Sequence, residues 1–287
     1  MRVLSSSHFY AFLTVLLWSS AYVYTKIGLE HFSAASLGFL RCFIALAVLS
    51  LVIIIKPRPP KSDWPWLIMS GACGFAVYLL VFNKGSALLN PSTSCVIIST
   101  SPIITAIMAR LLFKESLTPA GWAASGTAFA GVAVLMLWDS SMTVTQGVFW
   151  MILAALLISL YNIIQRKLGR KLEPLVITAY SFLFASVLLA WNIPQSCSEL
   201  ASASSRYLAI VIFLGIFPSA LAYWLWAKAL ALASSTGLAA NYMYLTPLLA
   251  VILEYLIMGQ KPGGGTLIGG GIILSSLVMF TRMGRRG

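Results

Sequence analysis

Residues 84–117 read KGSALLNPSTSCVIISTSPIITAIMARLLFKESL, and residues 228–260 read KALALASSTGLAANYMYLTPLLAVILEYLIMGQ. Each begins with a lysine among small residues and carries a proline, Pro102 or Pro247, inside a long apolar run. The two prolines are 145 residues apart, as are Gly126 and Gly271. Because a steady offset over a whole half is not expected of unrelated apolar helices, the sequence predicts two related halves, 1–138 and 146–283.

The composition predicts a membrane protein. Hydrophobic residues make up 60% of the 287 residues and charged residues only 9%, and the mean hydropathy is +0.92. An average soluble protein has roughly 25% charged residues, so lipid must cover most of this surface. Apolar runs bounded by Pro, Gly, Asn or charge predict an all-α bundle of ten transmembrane helices, near 8–28, 33–55, 64–83, 91–112, 118–138, 146–167, 174–192, 207–228, 235–258 and 263–281.

The helix count has a topological consequence. With five helices in each half, the second half starts on the opposite side of the membrane from the first, which predicts inverted repeats around a central cavity. Inverted repeats are typical of secondary transporters. Of the 19 basic residues, fourteen lie on the side that carries the termini and four on the other. This bias predicts that both termini are cytoplasmic in the inner or plasma membrane.

Several functional classes find no support. The net charge of +12 is spread over helix ends and shows no basic run interleaved with aromatic residues, so nucleic acid is not an expected partner. Four cysteines and two histidines form no cluster with metal-ligand spacing, and we predict neither a metal nor a cofactor. No carboxylate pair, Ser/His dyad or phosphate-binding loop occurs, so we predict that the protein is not an enzyme.

Polar and aromatic side chains recur at helical spacing inside the predicted spans. Such groups are costly in hydrocarbon, so stripes of them are expected to face the bundle interior. The alternative is that Tyr and Trp form belts at the membrane surface. The candidate substrate-binding residues are Trp18, Tyr22, Tyr78, Phe82, Ser94, Ser99, Ser101, Tyr161, Asn162, Gln165, Tyr223, Asn241 and Tyr244.

The stretch PSTSCVIISTSP (91–102) predicts a helix that starts at Pro91 and bends at Pro102. Ser99, Thr100 and Ser101 are expected to satisfy the freed carbonyls or to offer hydroxyls to a solute. Because TGLAANYMYLTP (236–247) repeats the pattern, Pro102 and Pro247 are the candidate hinge or gate residues.

Two charged residues fall inside predicted spans. Arg41 could bind a substrate carboxylate, or it could form a structural ion pair with Glu254. The sequence favours the pair, because both residues lie off the membrane midplane. Since no acid is evident at mid-membrane, the usual coupling device is missing, and we expect facilitated exchange or another coupling route.

The chain resembles the drug/metabolite transporter superfamily, EamA type. The resemblance rests on LLWSSAYVYTKIG (16–28), on the arginine of FLRCFIA (39–45), and on the two segments quoted above. It implies a cavity lined by spans 1, 3, 4, 6, 8 and 9, as in ten-helix amino-acid exporters. Members of this family usually have an acidic residue at the end of the ninth span. This chain has Gln260 there, whereas the equivalent position of the first half holds an acid, Glu115.

An aromatic cavity with amides and hydroxyls, and without net charge, suits a small zwitterionic or neutral solute. The predicted function is export of amino acids or similar metabolites by alternating access, as a monomer or homodimer in the lipid bilayer. A multidrug carrier, a nucleoside or other metabolite carrier and a channel-like facilitator remain alternatives, and a membrane enzyme or scaffold is disfavoured.

Overall fold

The computed structural model describes residues 2–113, 118–138, 142–232 and 241–283. Within these ranges the chain is helical, with short turns and no strand. The α-helices are α1 (Arg2–Gly28), α2 (Ala34–Ile55), α3 (Trp64–Gly71), α4 (Val77–Leu88), α5 (Pro91–Ile98), α6 (Ser101–Phe113), α7 (Pro119–Trp138), α8 (Met142–Leu168), α9 (Pro174–Leu188), α10 (Ile193–Ala201), α11 (Ser205–Leu214), α12 (Ala222–Leu232), α13 (Leu245–Met258) and α14 (Gly264–Met283).

Helix starts follow local chemistry. Pro91 opens α5 and Pro174 opens α9, where the missing N–H would have had no partner within the helix. Ser33 caps α2, and its hydroxyl accepts the backbone N–H of Ser36 at 3.2 Å. Helices satisfy their own backbone groups, which lipid requires of any spanning segment.

Helix length and apolar composition identify spans independently of the repeat. In the described residues, five stretches are long and apolar enough to cross a membrane. A sixth would be the pair Pro174–Leu188 and Ala190–Ala201, which is bent by 50°. The five stretches are Ala34–Ile55, Lys61–Leu88, Pro91–Leu112, Val144–Leu168 and Ser205–Ala229. This criterion leaves the predicted count of ten helices a prediction.

The predicted bend in the fourth span is a break. The α-helix is interrupted at Ser99–Thr100, between α5 and α6, just before Pro102. The hydroxyls of these two residues donate to the carbonyls of Cys95 and Ile97, at 2.8 and 2.7 Å. Both carbonyls also accept backbone N–H groups, from Ser99 and Thr100, so the hydroxyls add a second bond at the break, and the predicted bonds to carbonyls freed by Pro102 stay a prediction.

Pro247 lies in a place equivalent to that of Pro102. It is in the first turn of α13, directly after a 3₁₀ segment, Asn241–Tyr244, as Pro102 is in the first turn of α6, directly after the break at Ser99–Thr100. A proline in a first helical turn removes no intrahelical hydrogen bond. Each proline thus follows an interruption of the α-helix, and the role of both as hinges stays a prediction.

Two π-helical segments occupy corresponding places. Ala72–Ala76 joins α3 to α4, and Gly215–Leu221 joins α11 to α12. At the start of each lies a glycine in close packing. A Cβ on Gly71 would lie 2.6 Å from the carbonyl oxygen of Ser181 on α9, and one on Gly215 would lie 2.5 Å from the Ile44 Cβ on α2. Only a glycine lets these backbones approach so closely.

Helix packing is reciprocal between the two parts of the chain. Helix α1 packs against α12 and α13, and α8 packs against α4, α5 and α6. Helix α2 packs on the π segment Gly215–Leu221, and α9 packs on α3 and the π segment Ala72–Ala76. Helices α2 and α9 pack on each other, as do α7 and α14. The bundle interior therefore lies among α1, α4, α8 and α12.

Candidate functional site

Arg41 occupies the centre of a polar and aromatic cluster in the bundle interior. Its Nε donates to the hydroxyl of Ser219 at 2.7 Å, and that hydroxyl donates to the carbonyl of Leu214 at 2.8 Å. The bond to Leu214 reaches back five residues, which the π segment permits. Three phenols lie within electrostatic reach of the guanidinium: Tyr22, Tyr78 and Tyr223.

The predicted ion pair between Arg41 and Glu254 is not formed. The Glu254 carboxylate instead accepts the backbone N–H of Ser92 at 2.9 Å, where α5 begins. The two charges therefore have different partners on different helices. Sequence position alone could not show this, because the distance between α2 and α13 depends on how the halves pack.

The aromatic candidates are joined by ring contacts. The Trp18 ring lies 5.6 Å from those of Tyr223 and Trp226, and the Tyr22 and Tyr78 rings each lie 5.5 Å from that of Phe82. Edge-on and offset contacts at such distances are favourable. Five of the predicted residues, from α1, α4 and α12, are thus brought together around Arg41: Trp18, Tyr22, Tyr78, Phe82 and Tyr223.

Two phenylalanines that the sequence analysis missed complete the cluster. The Phe75 ring lies 3.9 Å from that of Phe182, 5.4 Å from Tyr161 and 5.7 Å from Tyr223. Phe75 belongs to the π segment and precedes Tyr78 by three residues. Helical spacing from Tyr78 was the available signal for Phe75, whereas Phe182 on α9 had none.

The side chains around Arg41 are not fully buried. Arg41, Tyr22, Tyr78 and Tyr223 each keep part of their surface accessible, whereas Phe75 and Phe82 of the same cluster are buried. The guanidinium and the three phenols are therefore the members of the cluster that keep accessible surface.

The candidate residues on α8 have different neighbours. Gln165 donates to the Tyr161 hydroxyl one turn away, and Tyr161 packs on Phe75. Asn162 lies on a neighbouring face, is exposed, and points its amide at the Thr105 hydroxyl of α6, 3.5 Å away. Asn162 and Tyr161 therefore have different neighbours, because residues i and i+1 are about 100° apart on a helix, and the binding role of Asn162 stays a prediction.

The serine candidates on α5 and α6 have distinct roles. Ser94 is buried and its hydroxyl has no hydrogen-bond partner, while the Ser99 hydroxyl satisfies the Cys95 carbonyl. Ser101 presents its carbonyl, which accepts the hydroxyl of Ser159 from α8 at 2.9 Å. The Asn241 and Tyr244 side chains, and Glu115, lie outside the described part of the structure.

Two serines that the sequence analysis missed make equivalent hydrogen bonds beside the two prolines. Ser159 bonds the carbonyl of Ser101, which precedes Pro102, and Ser19 on α1 bonds the carbonyl of Thr246, which precedes Pro247, at 3.1 Å. Each serine also lies near the carbonyl four residues earlier in its own helix. Their spacing of 140 residues, close to the repeat offset, was the signal that could have found them.

Removing the Ser159 hydroxyl should weaken the contact between α8 and α6. We expect Ser159→Ala to lower the free energy of unfolding by about 0.5–1.5 kcal/mol, the usual net value of one hydrogen bond. Ser125→Ala is the matched control, because the buried Ser125 hydroxyl bonds only the Gly121 carbonyl of its own helix. Unfolding of the purified variants in detergent would measure both, and equal stabilities would contradict the expectation.

The helices present large apolar side chains outward and converge polar and aromatic side chains inward. This arrangement is typical of a multi-pass membrane protein. A model of the EamA-like transporter family matches residues 5–137 and 145–282. The chain therefore belongs to that family, within the superfamily that the sequence resembles.

Named relatives are transporters. The chain is 26% identical over 280 residues to the probable terminal-alkyne amino-acid exporter of Streptantibioticus cattleyicolor, covering 96% of this chain and 93% of the relative. It is 26% identical over 272 residues to an uncharacterized transporter, YdfC, of Bacillus subtilis, covering 94% and 88%. It is 24% identical over 257 residues to the S-adenosylmethionine uptake transporter of Rickettsia prowazekii, covering 90% and 85%.

A solved crystal structure shares the fold. It covers 99% of this chain and 100% of its own, with a TM-score of 0.63 and 20% sequence identity. At this identity the likeness concerns the fold alone.

Proposed function

We propose that the protein exports small neutral or zwitterionic metabolites, amino acids above all, by alternating access. The observation that carries the proposal is the cluster around Arg41, in which one partly accessible guanidinium lies among three phenols and further aromatic rings. Among the described side chains around Arg41, no carboxylate contacts it. A guanidinium that has no acidic partner can bind the carboxylate of a substrate by donating hydrogen bonds to it.

The aromatic residues near Arg41 suit the side chain and the amino group of an amino acid. The rings of Trp18, Tyr223 and Phe82 offer apolar faces for a side chain, and phenol hydroxyls can orient a polar group. A cationic solute would instead meet the positive charge of Arg41. The geometry thus favours an amino acid over a cationic drug as the solute.

We propose that the halves 1–138 and 146–283 form inverted repeats of five helices each. The reciprocal packing supports this, because α1 meets α12 and α13 as α8 meets α4 and α6. The two π segments and the two serine–carbonyl contacts before Pro102 and Pro247 support it as well. Each half then crosses the membrane five times, so both termini lie on the same side. The excess of basic residues on that side supports its being the cytoplasmic side of the plasma or inner membrane.

The packing of α5 and α6 favours one state. Helix α5 packs against α13 at the end of the bundle where α1 turns into α2, and α6 packs mainly against α8 at the other end. In the proposed topology the first end is external, so the structure corresponds to a carrier closed to the outside. Pro102 and Pro247 remain the proposed hinges.

Counterflow in proteoliposomes tests the function. Vesicles preloaded with unlabelled L-phenylalanine should take up labelled L-phenylalanine faster than empty vesicles, with saturation. A panel of L-tryptophan, L-methionine, L-threonine, S-adenosylmethionine and uridine should compete in an order that places neutral amino acids first. Competition by uridine or S-adenosylmethionine alone would reject amino acids, and unsaturable flux without trans-stimulation would reject a carrier.

A further inference from the structure

Glu254 is a buried carboxyl with one satisfied and one unsatisfied oxygen. Its side chain is fully buried on α13, four residues before that helix ends. Oε2 accepts the backbone N–H of Ser92 at the start of α5, at 2.9 Å, whereas Oε1 has no hydrogen-bond partner. The carboxylate gains from the N-terminal dipole of α5. Yet a buried polar atom without a partner is costly, and such atoms call for a ligand that the structure does not hold.

Other buried oxygens without partners accompany it. The hydroxyls of Ser92 and Ser94 on α5 and of Thr25 on α1 are buried and unpartnered. Helices α1 and α5 run antiparallel, with Tyr22 against Cys95, so Thr25 lies at the level of Ser92 one turn further. Helices α1 and α5 both pack against α13, so these hydroxyls lie on the two helices that contact the helix of Glu254.

The surroundings of Glu254 do not suit a hard divalent cation. Lys26 on α1 lies within electrostatic reach of Glu254, but its ammonium donates to the Ala87 carbonyl at 2.8 Å and forms no ion pair with the acid. Glu30 lies beyond Lys26, Cys95 is the titratable side chain of α5, and Thr266 of α14 bonds Thr93. The few free oxygens fall short of the six or more that hard divalent cations take, whereas a proton needs one.

The two halves differ at this position. The offset of 145 residues places Ala109 of α6 where Glu254 stands in α13. One end of the bundle therefore has a carboxyl that fastens α5 of the first half to α13 of the second, and the equivalent residue at the other end cannot do so. A ligand on such a group changes the balance between two states only if it binds them unequally, which this asymmetry provides.

We propose that Glu254 is the proton-binding site that couples transport to a proton gradient, a proposal that rests on the function proposed above. When Oε1 takes a proton, the carboxylate becomes a neutral acid, and the Ser92 N–H loses its charge-assisted bond, which is roughly twice as strong as a neutral one. The contact between α5 and α13 then weakens, and this end of the bundle opens. When the proton leaves to solvent, the carboxylate fastens α5 again.

The test compares exchange with gradient-driven accumulation in the same proteoliposomes. With labelled L-phenylalanine as probe, wild type should accumulate substrate when a pH difference is imposed, to at most about tenfold per pH unit for each proton. Glu254→Gln should keep exchange at symmetric pH but lose accumulation. Glu173→Gln is the matched control, because Glu173 is exposed and pairs with Lys56, and it should behave as wild type.

Outcomes separate the two proposals. Absence of saturable exchange in wild type would reject the transport function itself. Exchange without a response to the pH difference, a response to sodium instead, or an unchanged response in Glu254→Gln would each reject the proton site alone. If Glu254→Gln does not fold, a second measurement on wild type is used, in which a pH-sensitive dye reports the pH inside the vesicles. A substrate gradient should then move protons, and a constant internal pH would overturn the proposal.

Discussion

Replacing Arg41 with methionine is expected to lower L-phenylalanine counterflow by roughly 10- to 150-fold, the value of a hydrogen bond to a charged group of about 1.5–3 kcal/mol. The reason is that the Arg41 guanidinium is partly accessible, and Ser219 is the single side chain to which it donates a hydrogen bond among the described residues. Methionine preserves the length and apolar stem of the side chain but removes its charge. Arg58→Met is the control, because Arg58 is exposed in the turn after α2.

The substrate supplies a second control for the role of Arg41. Inhibition of counterflow by L-phenylalaninol, which lacks the carboxylate, should change little between wild type and Arg41→Met. Arg41→Lys should retain part of the activity, since lysine keeps the charge but loses the planar fork. An equal loss for both compounds would indicate that Arg41 supports the fold and does not bind the carboxylate.

Gly71→Ala is expected to lower the free energy of unfolding by about 1–3 kcal/mol, the usual cost of overpacking. The new Cβ would lie 2.6 Å from the Ser181 carbonyl oxygen and 3.1 Å from the Ala185 nitrogen, and these backbone atoms cannot move aside cheaply. Gly126→Ala on α7 is the matched control, because its Cβ would meet nothing within 4 Å. Alanine there should be neutral or stabilising, since it favours a helix over glycine by about 0.5–1 kcal/mol.

Gly71→Ala is expected to lower the stability, whereas Gly126→Ala is expected to leave it unchanged or to raise it. Thermal unfolding of both purified variants in detergent, beside wild type, measures the two effects. Gly215→Ala should resemble Gly71→Ala, because its Cβ would lie 2.5 Å from that of Ile44. Equal stability of Gly71→Ala and Gly126→Ala would show that α3 and α9 do not approach as closely as described.

Much of the fold was accessible from the sequence because lipid imposes simple rules. Apolar runs must become helices, and prolines such as Pro91 and Pro174 begin them. An interruption near Pro102 was predictable, since proline interrupts helices, and the structure has it at Ser99–Thr100. The π segments were not predictable, because an extra residue in a turn depends on what packs against it, here Ser181 and Ile44.

The candidate site, like the fold, was predictable from the sequence only in part. Helical spacing puts Tyr78 and Phe82 on one face of a helix, because they are four residues apart, and their rings are in contact. It failed wherever a partner came from a distant helix. Phe182 joined the cluster, Asn162 turned toward α6, and Arg41 and Glu254 found separate partners.

By itself, the sequence determined the class of protein, the helices and the candidate faces, because composition and periodicity act along one chain segment at a time. Only the tertiary structure decided which side chains meet across helices. It placed the Arg41 guanidinium among phenols and tied Glu254 to the start of α5, leaving one oxygen without a partner. Hydrogen bonds require a few ångströms of distance and a direction, and those follow from how the helices pack rather than from residue order.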